Sequence, residues 1–282
     1  MIISSYLVMI LILLSCNQKQ QETCKYQSYY NEVTNALTEK HSNNNWTKAN
    51  ELFKSAFKKV KTPFGKDLEE ALEISIKLKD EHQTQVITKK LLRGGIPIEH
   101  FNNYSSILKQ NWWKKIDHAK IENEYKRNFN QELLNDLISL RTKDSLFNVE
   151  YHKFRKGELH LELDYLLEKS KGIYNEFKEL VDTHGFPSEI NTGYLYRNGK
   201  IQNLPTQVVL IHIHQLGEPI IKNEFTFEEL VCNGHMTEFD YDQIIKTMSI
   251  GGEKGIEYEM KLFYKQYKNC LLYTSPSPRD RG

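Results

Sequence analysis

Four side chains near the middle of the chain are of types that could do chemistry: His184, Ser188, His212 and His214. A histidine beside a carboxylate can move protons near neutrality, and two histidines on one face can chelate a metal ion. Local geometry decides between these roles. In a strand, His212 and His214 share a face and could hold an ion; in a helix they point about 200° apart and cannot. Pro205 before the run Val208 to His214 and Gly217 after it favour the helix, which leaves both as core or surface histidines. Ser188 lacks the pattern of a nucleophile elbow. His184 reads as the last residue of a helix, where a positive ring suits the dipole. No triad, phosphate loop or complete metal site is legible, so neither a metal nor another cofactor is expected. Cys24 and Cys232 are far apart in sequence and read as two free or buried thiols, a disulfide being the alternative in an oxidising compartment.

The elements that must position these residues are helices. Gly185 can take the left-handed conformation that closes a helix, and Pro187 forbids its continuation. Apolar residues at three-to-four spacing predict helices over Lys25 to Glu39, Trp46 to Val60, Lys66 to Lys79 and Thr84 to Leu92, the last closed by Gly94 and Gly95. Ile121 to Leu140 has the clearest long stripe. Asp144 or Ser145 is expected to cap another helix reaching about Lys156, and Leu159 to Asp182 gives a third. Adjacent Trp112 and Trp113 cannot both enter one core, so one should lie in a seam or half exposed. Thr226 begins a last well-signalled helix. The fold class is all-α.

Small Ala49 and Ala56 around Phe53, with Pro63 following, resemble the second helix of a tetratricopeptide repeat. The next unit, Lys66 to Leu92, resembles a degenerate copy. Gly185-Phe186-Pro187-Ser188 followed by Gly193 resembles the glycine-aromatic-proline turn of an uncharacterised helical domain of bacterial envelope and secreted proteins. That resemblance implies a fold more than an activity. It also implies an apolar helix ending in a histidine, the place of His212 or His214.

Both termini differ in character from the rest. Tyr6 to Leu14 is an apolar run about half as long as a membrane span, and reads as a signal-peptide core. Leu13-Leu14-Ser15-Cys16 resembles the lipobox of bacterial lipoproteins, which implies acylation of Cys16; an ordinary cleaved signal is the alternative. Cys270 to Asp280 resembles a translated sequencing adapter, the alternative being a genuine Pro/Ser-rich tail. On the adapter reading the native chain continues beyond Asn269. Expected boundaries are thus a signal peptide at 1–15, a tether at 16–25, tetratricopeptide-like repeats at 26–117, a second helical domain at 118–269 and a non-native tail at 270–282.

With the signal and tail set aside, basic and acidic residues are equal in number. That balance argues against nucleic acid as a partner. The expectation is a lipid-anchored protein of the bacterial envelope that acts as a protein or peptide interaction module. The competing reading is an enzyme or small-ligand receptor with a pocket near the Gly185 to Ser188 turn and His212 or His214.

Overall fold

The computed structural model describes residue 24 and residues 26–156, 158–161, 163–215 and 226–249, without the side chains of residues 155, 163, 164, 167, 213–215 and 247–249. Cys16, Gly217 and the 270–282 tail lie outside them. The described part is helical apart from one hairpin, as the all-α reading expects. Among the described residues no helix is long and apolar enough to cross a membrane.

Apolar stripes set the first four helices, and side-chain caps start the second and the fourth. Helix α1 (Gln27–His41) buries Tyr29, Tyr30, Val33 and Ala36, and it packs on α2 (Trp46–Lys59). Fully buried Ala36, Ala49 and Ala56 let the two backbones approach. Asn45 starts α2 by accepting the Lys48 N–H, and Asp80 starts α4 (Glu81–Arg93) by accepting that of Gln83. Helix α3 (Gly65–Lys77) pairs with α4, which ends on Gly94 and left-handed Gly95. Two 3₁₀ turns, Ile98–Asn103 and Trp113–Lys115, bracket the short helix α5 (Ser105–Leu108). Trp113 is buried against Phe101, and Trp112 meets it edge-on, half-buried.

The stripe from Ile121 to Leu140 is not one helix. It divides into α6 (His118–Asn128) and α7 (Gln131–Arg155), because the Asn130 side chain accepts the Leu133 N–H and caps the second helix. The Asn130 N–H itself donates to the Asn191 carbonyl at 2.8 Å. Nor does Asp144 or Ser145 begin a helix, since α7 runs through both. Asp144 is instead drawn into the interior by three polar partners described below.

Helix α8 (Leu163–His184) packs on α7 and stops where the turn predicts. Gly185 has φ +80° and donates its N–H to the Val181 carbonyl at 2.8 Å. After α9 (Glu189–Thr192) comes an element the helical reading lacks. Strands β1 (Leu195–Arg197) and β2 (Lys200–Gln202) pair antiparallel, Tyr196 opposite Ile201, through Asn198 and Gly199, which both have positive φ. Such a two-residue turn matches the twist of the flanking strands. Val208 to His214 then lies within α10 (Thr206–Gln215), which settles the choice for helix. Helices α11 (Phe227–Cys232) and α12 (Glu238–Ser249) follow.

The thiol expectation is corrected: Cys24 and Cys232 form a disulfide, with Cα atoms 4.5 Å apart across 208 residues of sequence. Their neighbours hold the same two segments together. The Tyr26 N–H donates to the Cys232 carbonyl, and the Tyr30 hydroxyl donates to the Met236 carbonyl at 2.7 Å.

A second joint fastens the hairpin to the first two helix pairs. The Tyr194 N–H donates to the Gly94 carbonyl at 2.7 Å and its hydroxyl to the Pro63 carbonyl at 3.0 Å. Its ring occupies the space a Cβ on Gly94 would need, 2.2 Å from the nearest ring atom. Gly193 approaches the same strand of backbone, with φ +74° and a hypothetical Cβ 2.6 Å from the Gly94 oxygen. Gly94→Ala and Gly193→Ala should each lower the free energy of unfolding by about 1–3 kcal/mol in urea titrations. Gly172→Ala, in open space within α8, should raise it by about 0.5–1 kcal/mol. Equal responses at the three positions would contradict this account of the joint.

Candidate functional site

The residues singled out by sequence do not gather into one site. His184 ends α8, with Nδ1 3.2 Å from the Asn130 amide and Nε2 4.0 Å from Asp136. His212 is buried at the α7–α10 contact, Nδ1 2.8 Å from Asp144 Oδ2. Asp144, 1% exposed, also accepts from Arg141 and from the Asn148 side chain. A buried carboxylate needs such partners, so this network fastens α10 to α7. The side chain of His214 lies outside the described set. Phe186 is buried with its ring edge-on to Phe177.

Ser188 meets a histidine that sequence reading did not pair with it. Its Oγ lies 2.9 Å from Nδ1 of His235, in the turn between α11 and α12. Burial lowers the pKa of His235, which favours the neutral ring in this contact. Ser188 is only 1% exposed, however, and does not line the neighbouring cleft. The contact anchors the turn; it does not present a nucleophile.

That cleft is the site the fold builds. It encloses about 450 Å³. One wall is α1 with Tyr30 and Val33; Phe64, Lys66 and Asp67 at the start of α3 make the second. Phe186 and Pro187 come from the glycine-proline turn and Glu189 from the start of α9; His235 comes from the α11–α12 turn, and Phe239 and Asp240 from the first turn of α12. Two positions named from sequence, Phe186 and Pro187, therefore line this cleft; His184, His212 and Ser188 do not line it.

The electrostatics of the cleft follow from how α3 begins. Phe64, at its N-cap position, offers no side-chain acceptor. Its N–H donates to the Tyr29 hydroxyl at 3.0 Å, and the Gly65 N–H donates to Glu189 Oε2 at 2.8 Å. Tyr29 in turn donates to Asp67 Oδ2 at 2.5 Å. Burial pushes the Glu189 carboxyl up to about 8, although the Gly65 N–H pulls the other way. Burial likewise lifts Asp67 to about 6, against its bond from Tyr29. Asp240 is raised for the same reason, and its Oδ1 is buried with no hydrogen-bond partner. Lys66, His41 and His235 are the basic residues of the lining, and His41 lies 3.5 Å from Glu70.

The deciding carboxyls were not predicted from sequence. Glu189 adjoins the Phe186-Pro187-Ser188 turn, and His235 follows the Asn233-Gly234 pair. Asp67 sits in the first turn of an ordinary amphipathic helix. No local signal joins them, because Glu189 is 46 residues from His235 and 122 from Asp67.

A carboxyl whose folded pKa is raised keeps a proton that the unfolded chain releases, so it stabilises most below its unfolded pKa. That stability is lost as pH rises from the ordinary range through the folded value. For Glu189 the loss runs from about 4.5 to about 8, and for Asp67 from 3.8 to about 6. Between pH 6 and 8, wild-type stability should therefore carry a downward contribution of up to about 1 kcal/mol per pH unit from Glu189. Glu189→Gln, which keeps an acceptor for Gly65, should lack it. Urea titrations of both proteins across that range isolate the difference; parallel profiles would refute a protonated Glu189.

No family model matches this sequence, and neither a curated protein nor a solved structure matches it.

Proposed function

We propose that the chain is a non-catalytic binding protein of the bacterial envelope, tethered through lipid on Cys16, whose cleft receives a positively charged group. The observation that carries this is the lining: Asp67, Glu189 and Asp240 set among Tyr30, Phe64, Phe186 and Phe239, with Lys66 as the opposing lysine. Carboxylates supply charge, and aromatic faces attract cations through their quadrupole. A few polar groups placed in a largely apolar concavity are the usual make-up of a ligand pocket.

In this reading the helix pairs α1/α2 and α3/α4 are degenerate tetratricopeptide-like repeats that hold one wall of the cleft. The interaction role expected from sequence fits the same place: a lysine or arginine of a peptide partner would enter beside Phe239, which is 61% exposed at the cleft.

Thermal melts of the full chain in detergent test the charge preference, using tetramethylammonium and butane-1,4-diamine against succinate and glucose. Saturation at a hundred times Kd stabilises by about 2.7 kcal/mol, a shift of a few degrees for a chain of this size. The cations should produce it and the other two should not. Stabilisation by succinate alone would overturn the proposal.

A further inference from the structure

We infer that the cleft takes up an organic ammonium ion in exchange for a proton, and that the carboxyl of Glu189 is the exchanging group. This rests on the cleft being the binding site, as proposed above. Glu189 is 6% exposed yet lines the cleft. One of its oxygens holds the Gly65 N–H and the other has no hydrogen-bond partner. That second oxygen is open to the cleft, where the N–H of an entering ammonium group can reach it.

The groups facing Glu189 come from every surrounding element. Tyr26 and Tyr29 belong to α1 and its start, Lys66 and Asp67 to α3, Tyr194 to the segment before β1, and Asp240 to α12. Lys66 is the one cation in that set and is exposed. The others are acids or phenols whose pKa values burial raises. An ionised Glu189 in the empty cleft would thus lie among neutral phenols and the Asp67 and Asp240 carboxyls, with one solvated lysine to offset it. Holding the proton avoids first the cost of a buried charge and then the repulsion from Asp67 and Asp240, and the value of about 8 follows from the two in that order.

The geometry also selects the kind of cation. Among the described residues, the one group of three His, Cys, Asp or Glu side chains with ligand atoms within 4.8 Å of one another is Glu132, Asp136 and His184, away from the cleft. Asp67, Glu189 and Asp240 do not converge in that way, so a compact metal ion cannot draw on all three. An ammonium group on a carbon frame can lie against Glu189 while the frame covers Phe64 or Phe186. Binding then breaks the carboxyl O–H bond, sends the proton to buffer and leaves a carboxylate beside the ammonium. The net charge of the cleft is unchanged.

Calorimetric titration of the full chain with butane-1,4-diamine tests this, repeated at pH 7 in phosphate and in Tris, whose ionisation enthalpies differ. Close to one proton should be released per cation bound at pH 7 and about half as much at pH 8, both below the range in which the amine itself titrates. Affinity should rise roughly fiftyfold from pH 6 to pH 8 as the exchanging carboxyl ionises. Glu189→Gln should bind more weakly and release no proton, with its far-UV spectrum showing whether it folds. Cation binding that is independent of buffer and pH would refute the exchange while leaving the cleft as a binding site. Release that persists in a folded Glu189→Gln would move the role to another group and overturn the assignment. No binding at any pH would remove both proposals.

Discussion

A helix that starts without its own cap must find acceptors elsewhere, and the start of α3 is such a place. Its first N–H groups are directed into the protein rather than into water, so leaving them unpaired would cost about 1–3 kcal/mol each. Tyr29 from α1 and Glu189 from α9 supply the acceptors. The requirement therefore draws together three segments far apart in sequence, and the cleft is the space left beside them. Glu189 cannot be displaced far without exposing Gly65, which fixes one wall of the cleft to the backbone of another.

The remaining walls are held by different chemistry. Tyr194 lies in the slot made by Gly65 and Gly94, two positions where a side chain would collide with its ring. The α11–α12 turn is bound to α1 by the Cys24–Cys232 disulfide, by the Tyr30 hydroxyl and by Gly234 beneath the Tyr26 ring. Ser188 and His235 join that turn to the glycine-proline turn. Four segments thus meet through a cap, an aromatic slot, a covalent bond and a buried hydroxyl. None of these depends on a long continuous stripe of apolar residues.

This explains which features were legible in the sequence. The helices α1 to α4 follow from periodicity and from local caps such as Asn45 and Asp80, both properties of neighbouring residues. The break at Phe129–Asn130 was hidden because Ile121, Tyr125, Phe129, Leu133 and Leu137 keep a spacing of four across it. Asp144 has the residue type of a cap, yet its partners Arg141, Asn148 and His212 make it a buried junction. The hairpin did carry a signal, Asn198-Gly199, but its strands are three residues each and too short for alternation to stand out. The disulfide and the carboxyl cluster had no local signature at all, since each joins residues brought together only by the folded chain.

The two roles of Glu189 are compatible for a physical reason. The Gly65 N–H takes one carboxyl oxygen whether or not the other carries a proton, so the cap persists through ionisation. Ionisation strengthens that bond, because an N–H donates better to a carboxylate than to a neutral acid. A cation arriving in the cleft would therefore tighten the junction of α3 with α9 rather than compete with it. Burial opposes the charge, the backbone cap favours it, and the balance lies close enough to neutrality for a ligand to tip it. A carboxylate with a cationic side chain built in beside it would already be ionised, and would have no proton to exchange.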